Sequence, residues 1–220
     1  MHIQSITMDI LKKFKDLLIE SLKDNKKLII GLYVFFIICI IGAWILSVGP
    51  VGAKLSAAQN MSSSTPAAMQ DASPVDLFIN NEFGGILVYV GSIFFGIPAI
   101  VSLVYNGINM GLIGQLFSQV LPNGGMRFLV YLIPHGIFEL TATVLQSVAG
   151  ILLFLFICRF IRAMISSETH GVSEAFDKSK KALVHSLILM IFATILLLIA
   201  APIEAYISVP FSELILGAWW

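Results

Sequence analysis

The sequence predicts an all-α protein, a polytopic bundle of about five transmembrane helices. Hydrophobic residues make up 58% of the chain and charged residues only 12%, whereas a soluble domain carries roughly 25% charged residues. The mean hydropathy is +0.93. Several uninterrupted apolar stretches reach the ~20 residues that are needed to cross the hydrocarbon core. We therefore expect a multi-pass protein of the cell membrane that contacts membrane lipids along its length.

Residues 1–27 are predicted to form a cytoplasmic, amphipathic and basic helix. Apolar residues such as Ile6, Ile10 and Phe14 recur at helical spacing, and lysines occupy the remaining face. Such a helix would lie on the membrane surface, and a polar stalk leading into the membrane is the alternative. The apolar run 28–48 is too long for the core of a signal peptide, so we interpret it as a retained first span.

Residues 49–81 are predicted to be an outer loop, rich in small and polar residues, that ends in a short interfacial helix. A second span is expected at 83–105, with a tight reversal at Asn106-Gly107. The third span, 107–121, has 15 residues, fewer than a full crossing requires. Two interpretations remain open for this segment, namely a crossing with local thinning of the bilayer or one half of a re-entrant hairpin.

A break at 122–125 and an apolar piece ending at Pro134 precede the fourth span at 136–160. The segment 82–160 thus contains the second to fourth spans. We expect a cytoplasmic basic loop at 161–182, and a fifth span with an apolar tail at 183–220. The tail ends in two tryptophans, which suit the membrane interface.

The basic residues fix the predicted orientation. Eleven of the 13 lysines and arginines lie either before the first span or at and after the end of the fourth. The positive-inside rule places both groups in the cytoplasm. Three crossings must then lie between the outer loop and Arg159, which puts the N-terminus in the cytoplasm and the C-terminus outside. This charge pattern argues against re-entry of the third segment.

The fourth span carries a polar face. His135 and Glu139 are four residues apart and therefore neighbours on one side of a helix. Ionisable groups in lipid cost ~2.5–3.5 kcal/mol each, so this face should point into the bundle. The orientation brings a set of polar residues to the outer leaflet, with Arg127 as a candidate counter-charge. The predicted cluster consists of Asn80, Asn81, His135, Glu139 and Glu204.

Two further features concern the middle of the bundle. Gln115 and Gln146 fall near the bilayer midplane, where they would hydrogen-bond across the third and fourth spans. Gly107, Gly111 and Gly114 form a small-residue face that permits close helix packing. We expect this face to pack against the second or fourth span, and a homo-oligomer interface is the less favoured alternative.

Cys39 and Cys158 both lie in apolar stretches and are interpreted as packing residues.

The cluster has three chemical interpretations. The favoured one is a hydrogen-bonded knot that holds helix ends together. The second is binding of an ion or a proton at His135, Glu139 and Glu204. The third, least favoured, is metal-dependent hydrolysis at the same three residues, because the catalytic motif H-E-x-x-H is absent. We predict no catalytic residue, no cofactor and no nucleic-acid partner.

The chain resembles the stage II sporulation protein M family over roughly residues 75 to 210. The most specific matching segment is Pro134-His135-Gly136-Ile137-Phe138-Glu139. Asn80-Asn81, Tyr105-Asn106-Gly107 and Ala200-Ala201-Pro202-Ile203-Glu204 support it by their order and spacing. The family tends to have a small Ala-Gly pair where this chain has Gln146-Ser147, so packing at the midplane should differ here.

The resemblance implies a membrane protein of about five helices without established catalytic residues. In endospore-forming bacteria the namesake is a membrane scaffold for peptidoglycan-degrading partners. We therefore expect a non-enzymatic scaffold that meets a protein partner through the outer loop, the cytoplasmic N-terminus or a lipid-facing groove. The alternative is a transporter or channel component that binds an ion, a proton or a small polar ligand at the outer polar cluster.

Overall fold

A computed structural model describes residues 2–48 and 73–217, with side chains from residue 7 onward. Within these ranges every regular element is helical, which confirms the predicted all-α class. Residues 49–72 of the predicted outer loop and the terminal tryptophans lie outside the described residues. The elements are α1 (His2–Asp24), α2 (Lys26–Leu46), α3 (Pro74–Gly91), α4 (Ile97–Val120), α5 (Gly124–Ile165), α6 (Val172–Ile203), a π-helical turn (Glu204–Ser208) and α7 (Val209–Leu216).

Four helices of the described chain are long and apolar enough to span a membrane. They are α2, α4, α5, and α6 together with its extension to Leu216. Helix α3 has 18 residues and is therefore about 27 Å long, but Asp76 and Glu82 lower its hydropathy. Following the charge distribution, we call the ends of the helices near Leu46, Pro74 and Val120 the outer ends.

The turn between α3 and α4 lies at residues 92–96, so the reversal predicted at Asn106-Gly107 is wrong. Phe95 and Gly96 have φ of 60° and 66°, a conformation that favours glycine. Asn106 instead remains within α4, where its amide donates to the carbonyl oxygen of Ser102 at 2.9 Å. The third span consequently has 24 residues instead of 15 and is long enough to cross.

Helix α5 is continuous for 42 residues through Pro134, which was predicted to separate two pieces. Proline removes one backbone donor, and neighbouring helices make this tolerable in a membrane helix. The predicted break at 122–125 is present, because Asn123 adopts a left-handed conformation with φ 53°.

Two predicted segments turn out to be helical extensions. The predicted interfacial helix is the first part of α3, which begins after Ser73. The Ser73 hydroxyl caps the helix by accepting a hydrogen bond from the backbone N–H of Val75 at 3.3 Å. The cytoplasmic loop shortens to residues 166–171, because α5 continues to Ile165 and α6 begins at Val172.

The glycine face of α4 packs against α2, the first span. The sequence had predicted packing against the second or fourth span, which is wrong. A Cβ at Gly111 would lie 2.5 Å from the backbone oxygen of Ile40 and 2.7 Å from Ala43. Gly107 contacts Cys39, and Gly114 contacts the ring of Trp44. The small face thus lets α2 and α4 run parallel at close approach.

Helix α1 is fixed to the inner end of α6 by ionic contacts. Lys181 binds Glu20 and Asp24, each at 2.8 Å. The hydrogen bond from Lys181 lowers the pKa of both carboxyl groups below their usual values. The Asn25 amide also lies 3.1 Å from Nδ1 of His185. These contacts anchor the basic N-terminal helix to the bundle.

Candidate functional site

The outer half of α5 presents Tyr131, His135 and Glu139 at four-residue spacing. This spacing places the three side chains on one face of the helix. The face is covered by the π-helical turn and α7, so that His135 is only 2% exposed. A single π-turn inside a helix is often found at functional sites.

The two glutamates approach each other at this position. Glu139 accepts a hydrogen bond at Oε1 from the Asn81 amide at 3.1 Å. Glu204, which begins the π-turn, accepts at Oε1 from the Tyr131 hydroxyl at 3.0 Å. One ligand-type atom from each of His135, Glu139 and Glu204 lies within 4.8 Å of the others. Helices α3, α5 and the end of α6 thus meet in one polar cluster.

Arg127 does not serve as the counter-charge that the sequence suggested. Its guanidinium donates to the backbone oxygens of Pro122 at 3.1 Å, Leu216 at 2.9 Å and Gly217 at 2.8 Å. The last two contacts satisfy carbonyl groups at the C-terminal end of α7, where a cation is also favoured by the helix dipole. Among the described residues, no salt bridge joins Glu139 or Glu204 to a lysine or an arginine.

Glu82 is a further half-buried carboxylate that the predicted site omitted. It accepts a hydrogen bond from Thr194 at 2.7 Å and one from the Gln146 amide at 3.3 Å. Gln146 therefore bonds to Glu82 on α3. The sequence had predicted a bond to Gln115 instead. The signal was present in the sequence, since Glu82 is the last charged residue before Arg127 and ionisable residues inside the membrane are rarely incidental.

A groove of about 850 Å³ runs between α3 and α4 and has α5 as its floor. We call it the lateral groove because Leu87, Val101 and Tyr105 line it and are each more than half exposed. Its polar lining comes from all three helices. The polar lining residues are Asn80, Asn81, Ser102, Asn106, Asn109, Glu139, Thr143, Gln146 and Ser147.

Ser147 is an unusual part of this lining. It is 1% exposed, and its hydroxyl oxygen has no hydrogen-bond partner. A buried hydroxyl without a partner costs roughly 1–3 kcal/mol. Ser147 therefore carries this cost inside the wall of the groove, where its hydroxyl is closed to solvent.

The structure brings four of the five predicted cluster residues together, namely Asn81, His135, Glu139 and Glu204. Asn80 lies one helical position away, is exposed and lines the lateral groove. Glu139 belongs both to the cluster and to the lining of the lateral groove, whereas Glu204 belongs to the cluster alone. Sequence reasoning missed Glu82, Tyr131 and Ser208.

Residues 31–209 match the family profile described as Stage II sporulation protein M. The chain is also similar to the uncharacterized protein MJ0793 of Methanocaldococcus jannaschii, with 32% identity over 128 residues. That match covers 56% of this chain and 63% of the relative. No solved structure matches significantly.

Proposed function

The chain belongs to the stage II sporulation protein M family, and we propose that it acts as a non-enzymatic membrane scaffold. In this proposal a transmembrane helix of a partner protein docks in the lateral groove. We expect the complex to lie in the cell membrane, surrounded by lipid. The observation that carries the proposal is the groove itself, a polar-lined opening on the side of an otherwise apolar bundle.

The length of the groove fits an elongated occupant. Its lining on α4 extends from Ile97 to Ile113, a rise of about 24 Å at 1.5 Å per residue. This is most of the ~30 Å hydrocarbon thickness. An occupant that follows the groove would therefore be membrane-embedded over most of its length, as a transmembrane helix is.

The volume supports the same occupant. A helix about 10 Å wide occupies roughly 118 Å³ per residue, so 850 Å³ equals about seven residues of complete helix. One face of a helix spread over 24 Å would fill that space. The asparagines on both walls, Asn80, Asn106 and Asn109, are placed to bond with polar groups of such a helix, and interhelical bonds of this kind add about 0.6 kcal/mol each.

Photo-crosslinking in native membranes tests the proposal. A photoreactive amino acid at Val101 or Tyr105 should yield an adduct that contains a transmembrane segment of one partner. The same probe at Ile38, which is 62% exposed on α2 and outside the groove, is the matched control. Val101→Trp should fill the groove and abolish the adduct at Tyr105. Lipid adducts alone, or the same protein adduct at Ile38, would contradict the proposal.

A transport or channel role is the second candidate. It is favoured by Glu139, a carboxylate that lines the lateral groove. If the groove conducts a cation or a small polar solute, liposomes that contain the protein should show flux that Glu139→Gln reduces. Equal flux in protein-free and protein-containing liposomes would exclude this candidate.

A further inference from the structure

We propose that His135, Glu139 and Glu204 bind one divalent transition-metal ion at the outer end of the bundle. This site goes beyond the scaffold function and does not depend on it. Nε2 of His135 lies 3.8 Å from Oε2 of Glu139, and one oxygen of Glu204 completes a set of ligand atoms within 4.8 Å. A tetrahedral zinc site with bonds of about 2.1 Å separates its ligand atoms by about 3.4 Å. Small side-chain rotations would therefore close the site.

The protonation of His135 follows from its neighbour. The Ser208 hydroxyl donates its one proton to the Ile203 carbonyl at 3.2 Å. Nδ1 of His135 lies 2.8 Å from the same hydroxyl oxygen, and an N–H at Nδ1 completes the arrangement in which Ser208 donates to Ile203. In a neutral imidazole Nε2 then carries a lone pair, which faces a carboxylate oxygen. A cation placed between Nε2 and this carboxylate oxygen, which lie 3.8 Å apart, would accept a lone pair from each of them.

The outer contacts of the ligands match those of metal sites. Metal-binding histidines usually donate their second ring nitrogen to an oxygen, and ligating carboxylates are hydrogen-bonded in turn. Here Ser208 orients His135, the Asn81 amide holds Oε1 of Glu139, and the Tyr131 hydroxyl holds Oε1 of Glu204. Each carboxylate is thus fixed at one oxygen while a second oxygen remains for a cation.

Charge balance indicates a divalent ion. Two carboxylates in a poorly hydrated site are costly unless they are paired. Arg127 is occupied by backbone carbonyls, and the described chain supplies no other lysine or arginine to Glu139 or Glu204. One divalent cation with two carboxylates and a neutral imidazole gives a net charge of zero.

The ligand types favour Zn²⁺ or Mn²⁺ over Ca²⁺ and Mg²⁺. Calcium and magnesium prefer oxygen ligands alone, whereas an imidazole nitrogen suits first-row transition metals. A second group with one histidine and two carboxylates, Glu20, Asp24 and His185, lies at the inner end of the bundle. There the ammonium of Lys181 already lies between the two carboxylates, so this group provides a matched comparison and not a second site.

Metal binding to a tag-free preparation of the full chain tests the proposal. After treatment with EDTA and readdition of Zn²⁺, elemental analysis should give one ion per chain, and the melting temperature should rise. His135→Ala should weaken Zn²⁺ binding at least 100-fold. Tyr131→Phe, which removes the hydroxyl that donates to Glu204, should weaken Zn²⁺ binding by roughly 10- to 100-fold. Co²⁺ in place of Zn²⁺ should give visible absorption that His135→Ala removes.

Three variants keep the result interpretable. Glu204→Gln preserves shape and the contact with Tyr131, so it should fold and still lose Zn²⁺ affinity. Glu82→Gln alters a half-buried carboxylate outside the cluster, and His185→Ala alters the inner group. Both variants should bind Zn²⁺ like the parent protein. Absence of stoichiometric binding would mean that the glutamates are neutralised by protons alone and would overturn the proposal. Equal losses in Glu82→Gln or His185→Ala would overturn it as well.

Discussion

Gly111→Ala should separate α2 from α4 and destabilise the bundle. The added Cβ would lie 2.5 Å from the backbone oxygen of Ile40 and 2.7 Å from both Ala43 and the backbone nitrogen of Trp44. Ordinary contacts of a Cβ begin near 3.4 Å. Because two of these three atoms belong to the backbone, side-chain rotation cannot relieve the overlap, and the helices must move apart by about 0.9 Å.

The magnitude follows from the packing that such a shift removes. A gap of about 0.5–1 Å forfeits a quarter to a half of the dispersion energy at each contact, and overpacked sites typically lose about 1–3 kcal/mol. Alanine regains up to ~1 kcal/mol over glycine within a helix. We therefore expect a net loss of about 1–2 kcal/mol. Gly42→Ala on α2 is the matched control. Nothing outside the backbone of α2 lies within 4 Å of its new Cβ, so this variant gains helix propensity without a steric overlap.

The native cysteines report the separation directly. Cys39 lies at the α2–α4 contact, where its Cβ would be 2.6 Å from a Cβ added at Gly107, whereas Cys158 is exposed. A loss of 1–2 kcal/mol changes an opening equilibrium about 5- to 30-fold. Alkylation of Cys39 by a membrane-permeant reagent should accelerate by that factor relative to Cys158. Unchanged alkylation, with stability equal to that of Gly42→Ala, would refute the close packing of these helices.

Three further predictions concern other contacts. Arg127→Ala should cost about 1–3 kcal/mol in unfolding assays, since it leaves the carbonyl groups of Leu216 and Gly217 without their donor. An unchanged free energy of unfolding would contradict this role. Gly85→Ala should destabilise the bundle because its Cβ would overlap the amide of Gln146, and Gln146→Ala in the same chain should restore most of the loss. The hydrogen bond from Lys181 lowers the pKa of Glu20 below its usual 4.5. Docking of α1 is therefore fully stabilised above pH 4.5 and weakens as the pH falls below that value. Hydrogen exchange in α1 that does not change with acid would refute this contact.

Much of the cluster could be predicted because two simple rules fix its position. The i, i+4 spacing places His135 and Glu139 on one helix face, and the distribution of basic residues brings Glu204 to the same end of the bundle. Arg127 was misassigned because charge alone does not reveal unsatisfied carbonyl groups. The carbonyl groups of Leu216 and Gly217 come within reach of Arg127 only because α7 ends beside α5 in the folded protein.

The turn between α3 and α4 could not be located from residue preference. Asn106-Gly107 has the composition of a turn, but the asparagine satisfies its own amide within the helix by bonding to Ser102. The actual turn contains Ile93 and Phe94, which are typical of a span, and it is stabilised by the ring of Phe95 lying 5.9 Å from that of Phe154. Tertiary contacts therefore overrode local preference at both positions.

Glu139 links the proposed metal site to the lateral groove, since Oε2 faces His135 while the side chain lines the groove. A cation at the cluster would neutralise this carboxylate and make the groove more favourable for an apolar helix. Linkage requires the effect to be reciprocal, so partner binding must tighten metal binding by the same factor. Glu139→Gln, which removes the charge permanently, should preserve partner crosslinking at Tyr105 and make it insensitive to EDTA. Crosslinking that responds to EDTA equally in the parent and in Glu139→Gln would show that the two sites communicate through other residues.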